Sequence, residues 1–163
     1  MFPKDIEALA GQVLDKARAR GWKIAAAESC TGGLVLGALT AIAGSSDVVE
    51  GGLVTYANAA KHRLLGVPED VLARHGSVSE PTARAMAEGA LTALDADLAV
   101  AITGVAGPGG GSADKPVGLV CFATAARGGS TLHRQMRFGD LGRGAVRLAS
   151  VRTALAMLLE RLA

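Results

Sequence analysis

Short apolar runs alternate along this chain with longer segments in which apolar residues recur every three or four positions. Residues 4–20 have that helical period, and Gly21 follows them as a typical helix terminator. The run "KIAAA" then predicts a short buried strand, residues 34–43 a helix and residues 48–56 a second strand. Such alternation is typical of strands that lie parallel in one sheet and are connected by helices.

The second half of the chain predicts a long helix, a third strand, a hairpin and a last helix. Ser79 is a suitable N-cap for a helix that has Pro81 in its first turn. "DLAVAITG" predicts a buried strand, while "VGLVCFATAA" and "STLHRQMRF" flank "RGG" as an antiparallel hairpin. We therefore predict one α/β domain over residues 1–163, with a mostly parallel sheet, an antiparallel edge hairpin and helices on both faces.

Composition argues against several classes of protein. The 17 Lys and Arg residues are spread along the chain without interleaved aromatics, and the net charge is only +2, so nucleic acid is not an expected partner. The charged N-terminus does not resemble a signal peptide, and no uncharged apolar run is long enough to span a membrane. Cys30 and Cys121 lack the spacing of a zinc site, so we expect no metal and a reduced, cytoplasmic protein. The apolar helix faces favour a homo-oligomer.

The stretch "AAAESCTGG" places Ser29 where a strand turns into a helix. The backbone N–H groups of Gly32 and Gly33 are expected to be unpaired there, and the helix dipole favours an oxyanion or a phosphate. Ser29 is thus a candidate nucleophile, although a Ser29 or Thr31 side chain that merely caps the helix is the commoner arrangement. Cys30 is the alternative nucleophile, but no histidine near it in sequence is marked as its base.

The second strand ends in "TYANAAK", which contains Tyr56 and Lys61. If Asn58 caps a helix over residues 59–65, Lys61 lies in the first turn, where the macrodipole disfavours a cation. Partial burial would lower the pKa of Lys61 further, and a lysine that titrates near neutrality is a usable general base. Tyr56 could share a hydrogen bond with it. A surface lysine beside a half-buried core tyrosine explains the same spacing equally well.

The third strand ends in the glycine-rich "TGVAGPGGGSADKP", which begins with Thr103 and Gly104 and includes Gly107. Its N–H groups suit a phosphate or nucleotide, although the loop is neither a P-loop nor a GxGxxG turn, and a mobile surface loop is the competing interpretation. Arg143 and Arg147 begin the last helix and are anion-binding candidates unless they are simply solvated. Ligands gather at the carboxyl ends of strands in α/β sheets, so the segments containing these residues are expected to line one pocket.

Five blocks of the sequence resemble the CinA C-terminal domain family, in its stand-alone form. They follow in order over nearly the whole chain: "AESCTGG", "IAGSSDVVEGGLVTYANAAKHRLLGV", "HGSVSEPTARAMAEGAL", "AITGVAGPGGGSADKPVGLV" and the late "FGD…R…VR". Each block alone is a weak signal, whereas the ordered set is specific. The chain departs from the family at one point, because the usual "GDR" is "GDLGR" here, as though two residues were inserted before Arg143.

The resemblance implies an enzyme that deamidates nicotinamide mononucleotide to nicotinate mononucleotide and ammonia, a step of pyridine nucleotide recycling that needs no metal. It maps the family's nucleophilic serine onto Ser29 and the family's tyrosine and lysine onto Tyr56 and Lys61. Lys61 would take the Ser29 proton directly or through Tyr56. The alternative is a non-catalytic module that binds a nucleotide or a phosphosugar.

Under the same hypothesis, backbone N–H groups near the Gly32–Gly33 turn would hold the tetrahedral oxyanion. Thr31, rather than Ser29, would then cap the helix. The loop over residues 104–111, or Arg143 together with Arg147, would hold the substrate 5′-phosphate.

Overall fold

The computed structural model describes the whole chain, Met1–Ala163, as a five-stranded sheet with six α-helices and a short 3-10 helix, Ser45–Asp47. The elements are α1 (Lys4–Arg20), β1 (Ile24–Glu28), α2 (Leu34–Thr40), β2 (Val49–Val54), α3 (Asn58–Leu65), α4 (Glu69–His75), α5 (Glu80–Ala93), β3 (Leu98–Gly104), β4 (Leu119–Ala126), β5 (Leu132–Arg137) and α6 (Arg143–Arg161).

Most predicted elements are present, with boundaries that shift by one to three residues. Ser79 caps α5 as predicted, since its hydroxyl accepts a hydrogen bond from the Thr82 N–H. The predicted cap of α3 is wrong. Asn58 is the first residue of that helix, and Ala57 holds the cap position without a side-chain hydrogen bond. Lys61 nevertheless lies in the first turn and a half of α3.

The sheet has the strand order β2-β1-β3-β4-β5. β1 is parallel to both β2 and β3, whereas β4 is antiparallel to β3 and to β5. The predicted α/β fold, with parallel strands at its centre and an antiparallel hairpin at its edge, is confirmed. Glu28, the last residue of β1, is paired with Val54 on one side and Ile102 on the other. The carboxyl ends of the three parallel strands therefore lie side by side.

Helices cover both faces of the sheet, as predicted. One hydrophobic core lies between the sheet and α1, α2 and α6, and the other lies between the sheet and α3, α4 and α5. Alternate residues of β4 contribute to each core, Phe122 to the first and Ala123 to the second, as the pleat of a strand requires. No helix is long and apolar enough to cross a membrane.

Gly89 holds α3, the helix that carries Lys61, close to α5. A Cβ atom at Gly89 would collide with the backbone carbonyl group of Leu65, at the end of α3. We expect Gly89→Ala to lower the free energy of unfolding by about 2 kcal/mol, because overpacking outweighs the better helix propensity of alanine. Gly11→Ala is the control, since nothing lies within 4 Å of that Cβ position in α1, and it should raise stability by about 0.5–1 kcal/mol. Urea unfolding of both variants checks this; effects of the same sign would contradict the packing argument.

Candidate active site

Ser29 and Lys61 are in direct contact. Ser29 follows β1 immediately, and its backbone N–H donates to the Ile102 carbonyl at 2.9 Å, which extends the ladder to β3. The Lys61 side chain is completely buried, and its Nζ lies 3.1 Å from Ser29 Oγ. It also donates to the carbonyl oxygens of Thr55 at 2.7 Å and Tyr56 at 3.2 Å. Burial lowers the pKa of Lys61 below its ordinary value, and no acidic side chain forms an ion pair with it.

The three partners of Lys61 suit a neutral amine as well as an ammonium group. Two of them are carbonyl oxygens, which only accept, whereas the Ser29 hydroxyl can accept or donate. A neutral amine would donate to the two carbonyls and direct its lone pair at the Ser29 O–H, and an ammonium group would donate to all three. A proton can therefore move from Ser29 to Lys61 without leaving a buried polar group unsatisfied.

Cys30 is poorly suited to be the nucleophile. Its side chain is buried, and burial raises the pKa of the Cys30 thiol to about 12, so the reactive thiolate is scarce at neutral pH. No histidine forms a hydrogen bond with it: His62 pairs with the Val67 carbonyl, and His133 lies beside Glu80. The geometry thus favours the hydroxyl of Ser29 over the neighbouring thiol.

The amino end of α2 is capped by Glu28, a role that the sequence patterns did not reveal. Its buried carboxylate accepts hydrogen bonds from the backbone N–H groups of Gly33 at 3.0 Å, Val35 at 3.1 Å and Leu36 at 2.9 Å. A carboxylate bonded to several N–H groups at a helix start satisfies orphan donors and suits the macrodipole. The one available signal was an acidic residue at the end of the otherwise apolar "KIAAAE".

Two expectations for this helix end are wrong, namely the unpaired N–H groups of Gly32 and Gly33 and the capping side chain of Thr31. The Gly32 N–H donates to the Ser29 carbonyl at 3.0 Å and the Gly33 N–H donates to Glu28, so neither is unpaired. Thr31 does not cap the helix, and its hydroxyl is buried without a hydrogen-bond partner. The reason is that a charged acceptor already occupies the helix start, and charged acceptors form the stronger hydrogen bonds.

Replacing Glu28 with glutamine is expected to destabilise this turn. The amide would keep one acceptor oxygen and would present N–H donors to backbone groups that are themselves donors. We expect the free energy of unfolding to fall by about 2–3 kcal/mol, a typical cost of losing hydrogen bonds to a buried charged group. Thermal unfolding measures this, with the exposed Glu50→Gln as the matched control. Equal melting temperatures for the two variants would contradict the role of Glu28.

An open cleft of about 260 Å³ lies over Ser29. Arg143 is the only charged side chain that lines it. The lining residues are Ser29, Cys30, Tyr56, Ser77, Val78, Gly104, Val105, Ala106, Gly107, Gly109, Gly110 and Arg143. A larger groove of about 520 Å³ lies between α3 and α5, but neither Ser29 nor Lys61 lines it and its only charged side chain is Glu88. The smaller cleft is therefore the candidate active site.

Several backbone N–H groups at this cleft have no acceptor within the molecule. Two of them, those of Cys30 and Thr31, directly follow Ser29. The others belong to the glycine-rich loop and are those of Ala106, Gly107, Gly109 and Gly110. Unpaired N–H groups in such turns are typical ligands of oxyanions and phosphates.

Arg143 connects the glycine-rich loop to the end of the second strand. Its guanidinium group donates to the Gly107 carbonyl at 2.8 Å and to the Tyr56 hydroxyl at 2.9 Å. Tyr56 is therefore turned outwards, with 61% of its surface exposed. The expected hydrogen bond between the Tyr56 side chain and Lys61 is not formed, because only the backbone carbonyl of Tyr56 reaches Lys61.

A family model for the CinA C-terminal domain matches residues 6–162, nearly the whole chain. The chain belongs to the CinA C-terminal domain family. The resemblance carried by the five sequence blocks is thus confirmed.

Relatives and solved structures agree with this membership. The chain is 54% identical to a CinA-like protein of Synechococcus sp. (strain RCC307) over 96% of its own length but only 38% of that protein's. It is 49% identical to the nicotinamide-nucleotide amidohydrolase PncC of Enterobacter agglomerans, over 95% of this chain and 96% of that protein. A crystal structure of the competence/damage inducible protein CihA from Agrobacterium tumefaciens superposes with a TM-score of 0.97 at 57% identity, covering 98% of this chain and 97% of that one.

Some of the remaining predicted residues of this CinA C-terminal domain line the cleft, and others hold the cleft-lining segments in place. Gly104 and Gly107 line the cleft, and a Cβ at Gly107, whose φ is +82°, would contact Val117 at 2.6 Å. Thr103 is buried beside the cleft, and its hydroxyl donates to the carbonyl of Ser77 at 2.7 Å. Thr103 therefore holds a cleft-lining segment in place, and its hydroxyl is already engaged.

Arg147 lies outside the cleft lining of the CinA C-terminal domain. Its Nε donates to the Cys30 carbonyl at 3.1 Å and its Nη2 to the Thr31 carbonyl at 3.0 Å. Of the two arginines expected to bind the substrate phosphate, only Arg143 lines the cleft. Arg143, the arginine of "GDLGR", thus lies at the cleft.

Proposed function

We propose that this CinA C-terminal domain hydrolyses the amide of nicotinamide mononucleotide, with Ser29 as nucleophile and Lys61 as general base. The observation that carries the proposal is the 3.1 Å contact between Ser29 Oγ and the buried Lys61 Nζ. A nucleophile within hydrogen-bond reach of a base with a lowered pKa is the arrangement that serine amide hydrolysis requires. The name of the relative from Enterobacter agglomerans, which this chain matches over nearly its full length, supports the choice of substrate.

In the first half of the reaction, Ser29 Oγ attacks the amide carbon while Lys61 takes the hydroxyl proton. The resulting oxyanion is held by the unpaired N–H groups of Cys30 and Thr31, and one such donor is typically worth about 3 kcal/mol of barrier. Lys61 then gives its proton to the leaving nitrogen, and ammonia departs as the C–N bond breaks. In the second half, water attacks the ester carbon with Lys61 again as base. The bond from that carbon to Ser29 Oγ then breaks, Lys61 returns its proton to Oγ, and nicotinate mononucleotide is released.

The substrate phosphate is placed against Arg143 and the unpaired N–H groups of the glycine-rich loop. Arg143 is the only cation in the cleft lining, and Gly107 and Gly110 expose backbone at positive φ. Tyr56 contributes by holding the Arg143 guanidinium group. It is not assigned the relay of the Ser29 proton, since its hydroxyl forms no hydrogen bond with Ser29 or Lys61. A cleft whose only charged side chain is a cation suits an anionic nucleotide.

Five expectations stay predictions: a single domain, no cofactor, a cytoplasmic location, a role in pyridine nucleotide recycling and a homo-oligomeric assembly. They follow from sequence patterns and from the family resemblance.

Incubation of the purified protein with nicotinamide mononucleotide and EDTA tests the proposed function. We expect ammonia and nicotinate mononucleotide to appear in equal amounts. The alternative, a module that binds a nucleotide or phosphosugar without turning it over, predicts a raised melting temperature with the nucleotide and no ammonia. That second result from a folded protein would overturn the proposal.

A further inference from the structure

The guanidinium group of Arg147 binds two consecutive carbonyl oxygens of the turn that follows the nucleophile, those of Cys30 and Thr31. Gly32, with a φ of +59°, permits this approach, since a Cβ there would lie 3.3 Å from Arg147 Nη2. No carboxylate pairs with Arg147, unlike Arg152 on the same helix, which pairs with Asp5. Arg147 therefore donates two hydrogen bonds to the backbone next to Ser29, and no carboxylate neutralises its charge.

These contacts fix the direction of the unpaired N–H groups. A trans peptide unit is planar, so its C=O and its N–H point in opposite directions. The Cys30 carbonyl faces Arg147, and hence the Thr31 N–H points away from Arg147. The Ser29 carbonyl accepts from the Gly32 N–H, and hence the Cys30 N–H points away from that contact.

The turn is held from its other side by Glu28, which accepts from three N–H groups at the start of α2. The Glu28 carboxylate thus accepts from N–H groups on one side of the turn, and the Arg147 guanidinium group donates to carbonyl oxygens on the other. The two N–H groups that neither Glu28 nor the turn uses are those of Cys30 and Thr31.

We propose that Arg147 is a positioning residue of the reaction: it orients the Cys30–Thr31 peptide so that its free N–H can stabilise the oxyanion formed at Ser29. The proposal rests on the amidohydrolase function above. It replaces the expectation that Arg147 binds the substrate phosphate, because the guanidinium group is bonded to backbone and lies outside the cleft lining.

Steady-state kinetics with nicotinamide mononucleotide separate the two roles. For Arg147→Met we expect kcat to fall about 10- to 100-fold, since a misaligned oxyanion donor loses much of its value. KM should stay within about twofold, because the interaction is made in the transition state. Arg147→Lys should lose most of the same activity, since an ammonium group keeps the charge but not the planar fork. Arg152→Lys is the matched control, since Arg152 is a partly exposed arginine of the same helix, and it should behave like the parent.

A raised KM with an unchanged kcat would overturn the proposal in favour of phosphate binding. Unchanged values of both would overturn it as well. Melting temperatures show whether each variant is folded. If Arg147→Met does not fold, Arg147→Lys decides by the same division between kcat and KM.

Labelling by a fluorophosphonate probe gives a readout that does not depend on the nucleotide. Ser29 Oγ forms a bond to phosphorus, fluoride leaves and the hydroxyl proton passes to Lys61, while charge develops on the phosphoryl oxygen. We expect Arg147→Met to slow the labelling of Ser29, followed by mass spectrometry, by a factor similar to its loss of kcat. Labelling at the parent rate would contradict the positioning role. If the parent labels but releases no ammonia, the proposed function fails, and the labelling rates still decide the role of Arg147.

Discussion

Replacing Ser29 with alanine is expected to reduce ammonia release from nicotinamide mononucleotide by at least about 10⁴-fold, the scale seen when a serine nucleophile is removed from an enzyme of this type. The physical reason is that no other group can form the acyl-enzyme. Cys30 is next to Ser29, but burial raises the pKa of its thiol to about 12. Initial rates at saturating substrate measure the effect.

Cys30→Ala is the matched control for that experiment. It removes one side-chain atom from the adjacent, buried residue and leaves Ser29 and its contact with Lys61 in place. We expect its rate to stay within about threefold of the parent, because a change that does not touch the reacting atoms leaves the transition-state contacts intact. Loss of activity in Cys30→Ala together with full activity in Ser29→Ala would reverse the assignment of the nucleophile.

Replacing Lys61 with methionine is expected to lower kcat by about 10²- to 10⁴-fold, the usual contribution of a general base. Methionine has a similar length and fits the buried position without a charge. Lys61→Arg should be equally inactive, because a guanidinium group stays protonated and cannot accept the Ser29 proton. Melting curves show whether the variants are folded. A folded Lys61→Met variant with the parent's kcat would contradict the role of Lys61 as base.

The pH dependence of the parent enzyme follows from the same residue. Under the proposed mechanism the neutral amine of Lys61 is the active form, so kcat/KM should be low below the pKa of Lys61 and should rise to a plateau above it. Burial lowers that pKa from the ordinary value of 10.5, so the midpoint of the rise should lie below pH 10.5. Initial rates across the pH range test this in the parent. A flat profile, or a midpoint at or above pH 10.5, would contradict a buried lysine base.

The fold and the location of the candidate site were predictable because local patterns determine them. The alternation of apolar runs with helical periods predicts β1, β2 and β3 as parallel strands, and parallel strands end at one edge of the sheet. That rule alone brings Ser29 and the glycine-rich loop together, and it places Lys61 on the first helix after β2. The proximity of Ser29 and Lys61 could therefore be predicted, although the distance between Ser29 Oγ and Lys61 Nζ could not.

The internal geometry of the nucleophile turn was not predictable from spacing. Thr31 is a better cap than Glu28 by sequence rules, but the pairing of β1 with its neighbours aims the Glu28 carboxylate at the start of α2. The contacts of Tyr56 and Cys30 depend on α6, which lies more than 80 residues further along the chain and places Arg143 and Arg147 against these two residues. Contacts between such distant segments leave no local pattern to read.

The measurement that tests the central claim most directly is ammonia release from nicotinamide mononucleotide by the parent and by Ser29→Ala, side by side and with EDTA present. The account predicts steady release by the parent and none above background by a folded Ser29→Ala variant. Equal release by both would contradict it, because water would then attack the amide without a serine intermediate. A folded parent that releases no ammonia would contradict it too and would leave a nucleotide-binding module.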